Sequence, residues 1–150
     1  INTGIYAFNN QSLFEGLKHL NNNNAQNEYY LTDLVEILKK LGKKVVAIPC
    51  DDWQEVQGVN GNVELAHAAK YMQERINTEW MKKGVTIYDP NTTYIGPNVT
   101  FGTDVIIHPN TYLYGDVTVE DYAEILPGTW LEDTNVSKAE TVGPFVRRKG

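Results

Sequence analysis

From Ile95 onward, one phase of the sequence is apolar at every sixth residue: Ile95, Phe101, Ile107, Leu113, Val119, Ile125 and Leu131. The fifth place of each hexapeptide holds Val99, Val105, Thr111, Val117, Ala123, Thr129 and Asn135, and all but the last are small or β-branched. An α-helix repeats every 3.6 residues and a strand every 2. Neither sustains a period of six, whereas a parallel β-helix does. Each hexapeptide then forms one flat side of a triangular coil, and three sides make a turn of about 18 residues. The aliphatic residue points to the axis, and the small residue fills the corner. Gly96 and Gly102 follow the first two axial positions. The phase slips by one after Leu131 and resumes at Val136 and Val142, so one side is a residue short or bulged. Eight or nine sides give about three coils of a left-handed β-helix, a solenoid that needs neighbours or caps at its ends.

The chain up to Gly84 follows helix and strand rules instead. Gly4 to Phe8 predicts a short strand. Ser12 with Glu15 three residues on predicts a capping box, and Leu13, Phe14, Leu17 and Leu20 give one apolar helical face. Asn21 to Asn24 form a stop. A second helix is expected from about Asp33 to Leu41, with Leu34, Ile37, Leu38 and Leu41 inward and Gly42 at C′. Val45 to Ile48 predicts a second strand, ended by Pro49. The order strand, helix, helix, strand suggests an incomplete α/β layer. A third helix from about Val63 to Lys83 carries Leu65, Ala69, Met72, Ile76 and Trp80 in one narrow stripe. Its roughly 20 residues would span about 30 Å and suit a connecting arm.

Composition narrows the function. The net charge of −6 argues against a nucleic-acid backbone as the main partner, though a local basic patch could still hold a phosphorylated metabolite. Cys50 is the single cysteine, so no disulfide can form within the chain, and this fits a reducing, cytoplasmic setting. It is expected as a buried small hydrophobe at a strand end. No apolar run approaches the ~18 residues of a membrane span.

The segments "INTGIYAF", "NNNNAQNEYYLTD" and "EVQGVN", a long helix, and hexapeptides from "YIGPNV" to "VGPFVR" occur in this order. Together they closely resemble the bacterial bifunctional N-acetylglucosamine-1-phosphate uridylyltransferase/glucosamine-1-phosphate N-acetyltransferase family. The resemblance covers essentially all 150 residues. It implies the C-terminal part of a Rossmann-like nucleotidyltransferase domain over 1–62, a linker helix over 63–84 and the first coils of the acetyltransferase β-helix over 85–150. It also implies an internal fragment, opening just before the asparagine of "NTG". In that family, acetyl-CoA acetylates glucosamine 1-phosphate. UTP then reacts with the N-acetylglucosamine 1-phosphate to give pyrophosphate and UDP-N-acetylglucosamine, a cell-envelope precursor. The intact enzymes are homotrimers packed along their β-helices.

By this resemblance Asn2 contacts the sugar of the nucleotide product. On its own, the residue more simply reads as the cap of the turn before Ile5. Asn60, in "GVN", is implied as a ligand of Mg²⁺, which takes hard oxygen donors. By sequence alone, Gly58 to Asn62 is a polar turn. Tyr30 and Thr32 would lie near the sugar pocket. Lys149 stands where the family has a sugar-phosphate-binding arginine, keeping the charge but losing the planar fork, and Gly150 stands where proline is usual. Against relatives, the β-helix is short by about one coil between Gly128 and Gly143. The family's glycine-rich nucleotide loop, the aspartate that shares the metal and the acetyltransferase histidine have no counterpart here. His19, His67 and His108 are expected as solvated or packing residues. The chain alone is therefore expected to catalyse neither reaction. Two alternatives remain: a trimerising β-helix module, or another sugar-nucleotide pyrophosphorylase.

Overall fold

In a computed structural model of the chain, residues 2–150 are described. They fall into two compact units, the first ending at Gly58 and the second running from Val59 to Gly150.

The second unit begins with helix α3 (Asn62–Lys82) and continues as a parallel β-solenoid, the architecture of a left-handed β-helix. One sheet stacks β1 (Thr86–Ile87), β4 (Ile106–Ile107), β7 (Glu124–Ile125) and β10 (Thr141–Val142). A second stacks β2 (Thr93–Ile95), β5 (Thr111–Tyr114), β8 (Trp130–Glu132) and β11 (Arg147–Lys149). The third holds β3 (Thr100–Phe101), β6 (Thr118–Val119) and β9 (Asn135–Val136).

The register confirms the six-residue period and explains its slip. Thr100 pairs with Thr118 and Ile107 with Ile125, each step a full turn of three hexapeptides. Past Leu131 the step shortens by one: Val119 pairs with Val136, Ile125 with Val142 and Leu131 with Arg148. The shortened turn follows β8, where Asp133 adopts φ 49°. The axial residues Ile95, Ile107, Leu113, Val119, Ile125, Leu131, Val136 and Val142 are all buried. Phe101 is half-buried with its ring edge-on to Trp80, centroids 4.9 Å apart.

In the corner column Thr93, Thr111 and Thr129 are fully buried. Each hydroxyl donates to a nearby backbone carbonyl, those of Asp89, His108 and Leu126 respectively, at 2.7–2.8 Å. That bond makes threonine acceptable where valine would otherwise stand. Asn135 breaks the small-residue pattern and is exposed, because it lies just past the shortened turn. Gly102 is required by close approach: a Cβ there would lie 2.6 Å from the backbone nitrogen of Asp121 in the next coil.

The solenoid has eleven strands among the described residues, more than the eight or nine sides expected. The first was missed because Ile87 pairs with Ile107 across a longer span than the later turns use, out of phase with the rest. The last was missed because Arg148 takes the axial place that an aliphatic residue holds elsewhere.

Helix α3 departs from expectation in the face it buries. Of the predicted stripe, only Ile76 and Trp80 pack on the solenoid core, while Leu65 and Met72 are largely exposed. The buried positions are Gln73 and Asn77. Gln73 Nε2 donates to the carbonyls of Pro90, Asn91 and Thr93 at 2.9–3.1 Å, and Asn77 Nδ2 donates to those of Pro90 and Thr93 at 2.9 Å. β2 is an edge strand. The longer first coil leaves the chain before it in a loop, whose carbonyls need donors. Two amides on one helix face supply them, and α3 thereby covers the end of the solenoid.

The first unit holds α1 (Asn10–Leu17), a 3₁₀ turn over Leu31–Asp33, α2 (Leu34–Lys40) and a second 3₁₀ turn over Trp53–Val56. The cap of α1 is Asn9, not Ser12: its Oδ1 accepts from the Ser12 backbone N–H at 3.1 Å. Gly16 packs α1 directly on Leu34 and Leu38 of α2. Gly42, with φ 72°, closes α2 as expected: its N–H bonds Lys39 O, and that of Lys43 bonds Leu38 O, a Schellman pair. The two predicted strands do not form. Residues 4–8 and 45–48 enter no ladder, and Ile5, Val46 and Ile48 are largely exposed. A strand exists only against a partner, and neither segment has one among the described residues. No Rossmann-like layer is seen among the described residues. Cys50 is exposed rather than buried, its thiol facing Asp52 O at 3.1 Å.

Replacing Asn77 by Ala removes two buried donor contacts and should destabilise the second unit by about 1–3 kcal/mol. Chemical denaturation followed by far-ultraviolet circular dichroism measures this, and an unchanged midpoint would contradict the role given to the amide.

Candidate functional site

In the first unit, Asn2 Oδ1 accepts from the Gly4 N–H at 3.0 Å, and its Nδ2 donates to the Tyr6 hydroxyl at 2.5 Å. Both halves of the carboxamide are engaged locally, in an Asx-type turn before Ile5. Tyr30 donates its hydroxyl to Gln26 Oε1 at 3.0 Å. Thr32 is exposed in the 3₁₀ turn. No hydrogen bond joins these three residues to one another among the described residues. Asn24 organises the intervening loop. Its Oδ1 accepts from the N–H groups of Gln26 and Glu28, and its Nδ2 donates to Glu28 O.

In the second unit, Asn60 is exposed in the loop before α3. Its carboxamide offers one neutral hard oxygen, the donor type Mg²⁺ accepts. No group of three or more His, Cys, Asp or Glu suited to a metal gathers among the described residues.

The richest constellation lies on the outer face of the β2–β5–β8–β11 sheet. Tyr94, Tyr112 and Trp130 stand in register, one to each successive coil. The Tyr94 and Tyr112 rings stack at 5.0 Å with an interplanar angle of 1°, and Tyr112 stacks on Trp130 at 5.2 Å. Arg147 continues the column, its guanidinium 5.7 Å from the Trp130 ring centroid. The neighbouring column holds Tyr114, Glu132 and Lys149. Lys149 Nζ lies 2.6 Å from Glu132 Oε1. That bond holds the Glu132 carboxyl below the ordinary glutamate value and raises the Lys149 ammonium above that of free lysine. Burial pushes the Tyr114 phenol up. Between the two outward cations, Arg148 points to the axis and binds Glu140 at 2.7 Å and Asn135 O at 3.3 Å. The hydrogen bond from Arg148, helped by the Ser137 N–H, lowers the Glu140 pKa.

His108 is not merely solvated. Its Nε2 lies 2.7 Å from Glu124 Oε1, and its ring meets Tyr88 edge-on at 4.9 Å. His19 and His67 are exposed. The aromatic column went unnoticed in the sequence because it repeats once per coil, not once per side. A search at the spacing of a full turn would have found it.

No family model matches the chain. Individual proteins do. Over 142 residues it is 44% identical to the bifunctional protein GlmU of Halalkalibacterium halodurans, covering 95% of this chain and 31% of that one. GlmU of Latilactobacillus sakei is 46% identical over 136 residues, 91% of this chain and 29% of the relative. Over nearly its whole length the chain is similar to GlmU proteins. It spans about a third of the length of the curated relatives it matches. GlmU of Shouchella clausii aligns over 161 positions at 39% identity. That is longer than the 150 residues here, so this GlmU carries residues without counterpart in the chain. No described helix is long and apolar enough to cross a membrane.

The Arg148–Glu140 pair sets a pH dependence. Glu140 has a depressed folded pKa against an ordinary value of 4.5. Its stabilisation is therefore full above that value and is lost as pH falls through the lower folded pKa. Arg148→Ala should cost stability at pH 7 and much less at pH 3. Urea denaturation of both proteins at the two pH values checks this, and an equal cost at both would rule out the ion pair as the cause.

Proposed function

We propose that the chain is part of the enzyme that makes UDP-N-acetylglucosamine for cell-envelope synthesis. The observation that carries this reading is the 44% identity to GlmU across 142 residues, which reaches through both compact units. The parent would transfer an acetyl group from acetyl-CoA to glucosamine 1-phosphate. It would then join the product to UTP with release of pyrophosphate, in the cytoplasm.

Within that reading the residues have distinct tasks. Asn2, with both a donor and an acceptor, exchanges its bonds to Gly4 and Tyr6 for sugar hydroxyls. Tyr30 and Thr32 line the sugar side. Asn60 would hold Mg²⁺ through its carboxamide oxygen, and such an ion would offset phosphate charge. Lys149 holds the phosphate of the hexosamine phosphate. The chain by itself catalyses neither transfer, because the nucleotide loop, the second metal ligand and the acetyltransferase base of the family lack counterparts.

A second reading is an architectural module that assembles into a homotrimer through its β-helix. The aromatic column on one outer face, with Tyr94 36% exposed, is the observation that favours it. A third is another sugar-nucleotide pyrophosphorylase, which the GlmU matches disfavour. Incubation of the chain with UTP, Mg²⁺ and N-acetylglucosamine 1-phosphate should release no pyrophosphate above background, and release would refute its inactivity. Light scattering at tens of micromolar should give a trimer mass if the β-helix assembles by itself. A strict monomer would sink the architectural reading.

A further inference from the structure

Asn60 and Gly61 form an Asn-Gly pair, the one such pair in the sequence. They lie in the loop before α3, just past Gly58, where the first compact unit ends. Both residues are exposed. Among the described residues the Asn60 carboxamide makes no hydrogen bond, and the Gly61 N–H donates none. Other asparagines are restrained. Asn24 is bonded through both ends of its amide, and Asn77 is fully buried with its Nδ2 spent on two carbonyls. Gly61 caps α3 with φ −160° and ψ −178°, an extended backbone that any residue adopts. A Cβ there would meet only the flexible end of Glu64, at 3.1 Å. The fold therefore does not require glycine at this position. What the missing side chain leaves is an uncrowded peptide nitrogen beside a free carboxamide.

We propose that Asn60 is a site of spontaneous deamidation through a cyclic imide formed with Gly61. The Gly61 nitrogen attacks Cγ of Asn60. The Cγ–Nδ2 bond breaks, and the carboxamide nitrogen leaves as ammonia with the proton that Gly61 gave up. Water then opens the imide at one of its two carbonyl carbons, its hydroxyl going to that carbon and its proton to the Gly61 nitrogen. Opening at Cγ leaves aspartate. Opening at the main-chain carbonyl leaves isoaspartate, in which the chain runs through Cβ and Cγ and gains one backbone carbon. The net change is water in and ammonia out, with no oxidant or cofactor. Either product places a carboxylate next to the α3 cap, where the helix dipole favours negative charge. It also makes the chain one unit more negative than its present −6. The conversion itself does not rest on the reading of Asn60 as a Mg²⁺ ligand, but its consequence for that role does. Aspartate keeps the hard oxygen and adds a charge, whereas isoaspartate moves the oxygen away by the added carbon.

Incubation of the full chain in warm, mildly alkaline buffer, followed by peptide mapping with mass spectrometry, tests this. The peptide carrying Asn60 should gain the mass difference between an amide and an acid. It should also split into aspartate and isoaspartate forms, with isoaspartate in excess. The gain should quicken as pH rises, because the attacking nitrogen must lose its proton. Peptides carrying Asn24 and Asn77 should stay unchanged over the same interval. Gly61→Ser should slow the gain severalfold, and thermal melts should show the second unit intact, since serine is a favoured helix cap. Asn60→Gln should lose the gain. The site is overturned if the folded chain shows no gain at Asn60, if Gly61→Ser converts as fast as the unchanged chain, or if aspartate forms without isoaspartate, the mark of direct hydrolysis. Failure of the Mg²⁺ reading looks different: Asn60→Asp would leave Mg²⁺ affinity unchanged in isothermal titration, while the unchanged chain still showed the mass gain.

Discussion

A single aliphatic column along the solenoid axis sets the rest of the second unit. Each of Ile95, Ile107, Leu113, Val119, Ile125 and Leu131 is buried from all sides only because the next coil lies on it. Burial of such side chains is worth about 1.5–3 kcal/mol each, enough to fix the phase of every coil. Once that phase is fixed, alternate residues must face out, and the outer columns follow without separate instruction. The aromatic stack and the paired cations of β11 are therefore by-products of the axis, positioned to within a strand spacing. The column also has two ends, and they are finished differently. At the first, α3 lays Ile76 and Trp80 on the core and gives two amides to the backbone. At the last, Arg148 replaces the aliphatic residue and turns a hydrophobic axis into an ion pair with Glu140.

How much of this could be read beforehand depended on whether a feature was set by neighbours in sequence or by partners in space. The solenoid was legible because each side repeats the same local demand, apolar then small, at a spacing no other element uses. Even the slip after Leu131 was visible, and it reappears in the ladder where Val119 meets Val136. The helix stripe was not a safe guide. Leu65 and Met72 match the period yet stay exposed, while Gln73 and Asn77 are buried because loop carbonyls of the first coil needed donors. No helical periodicity encodes that need. The strands expected at 4–8 and 45–48 failed for the complementary reason: their apolar residues were recognised, but a ladder needs a second strand.

The candidate site divides along the same line. Asn2, Tyr30, Thr32 and Asn60 were picked out through motif resemblance, and the side chains of Asn2 and Tyr30 bond to residues within four positions in the chain. Composition and spacing would never have singled them out, since an Asx turn and a sugar contact use the same side chain. Lys149 carried more information. Its neighbours Glu132 and Arg147 are fixed by the coil register, so the pattern of alternating faces leads from the one residue to the other two. What sequence could not give was which cation is already partnered, because that depends on the carboxylate one coil below.

Every coil pairs only with the coils before and after it, at a sequence distance of one turn. Length in such a chain is quantised. Removing a whole turn brings two compatible edges together and lets the ladders rejoin, whereas removing half a turn would set aliphatic residues against the solvent face. Divergence among such proteins is then expected to proceed in steps of one coil, each leaving the axis intact while moving every functional residue beyond it by one storey. A site assembled from adjacent storeys survives such a step, and one that spans the removed storey is rebuilt with new neighbours.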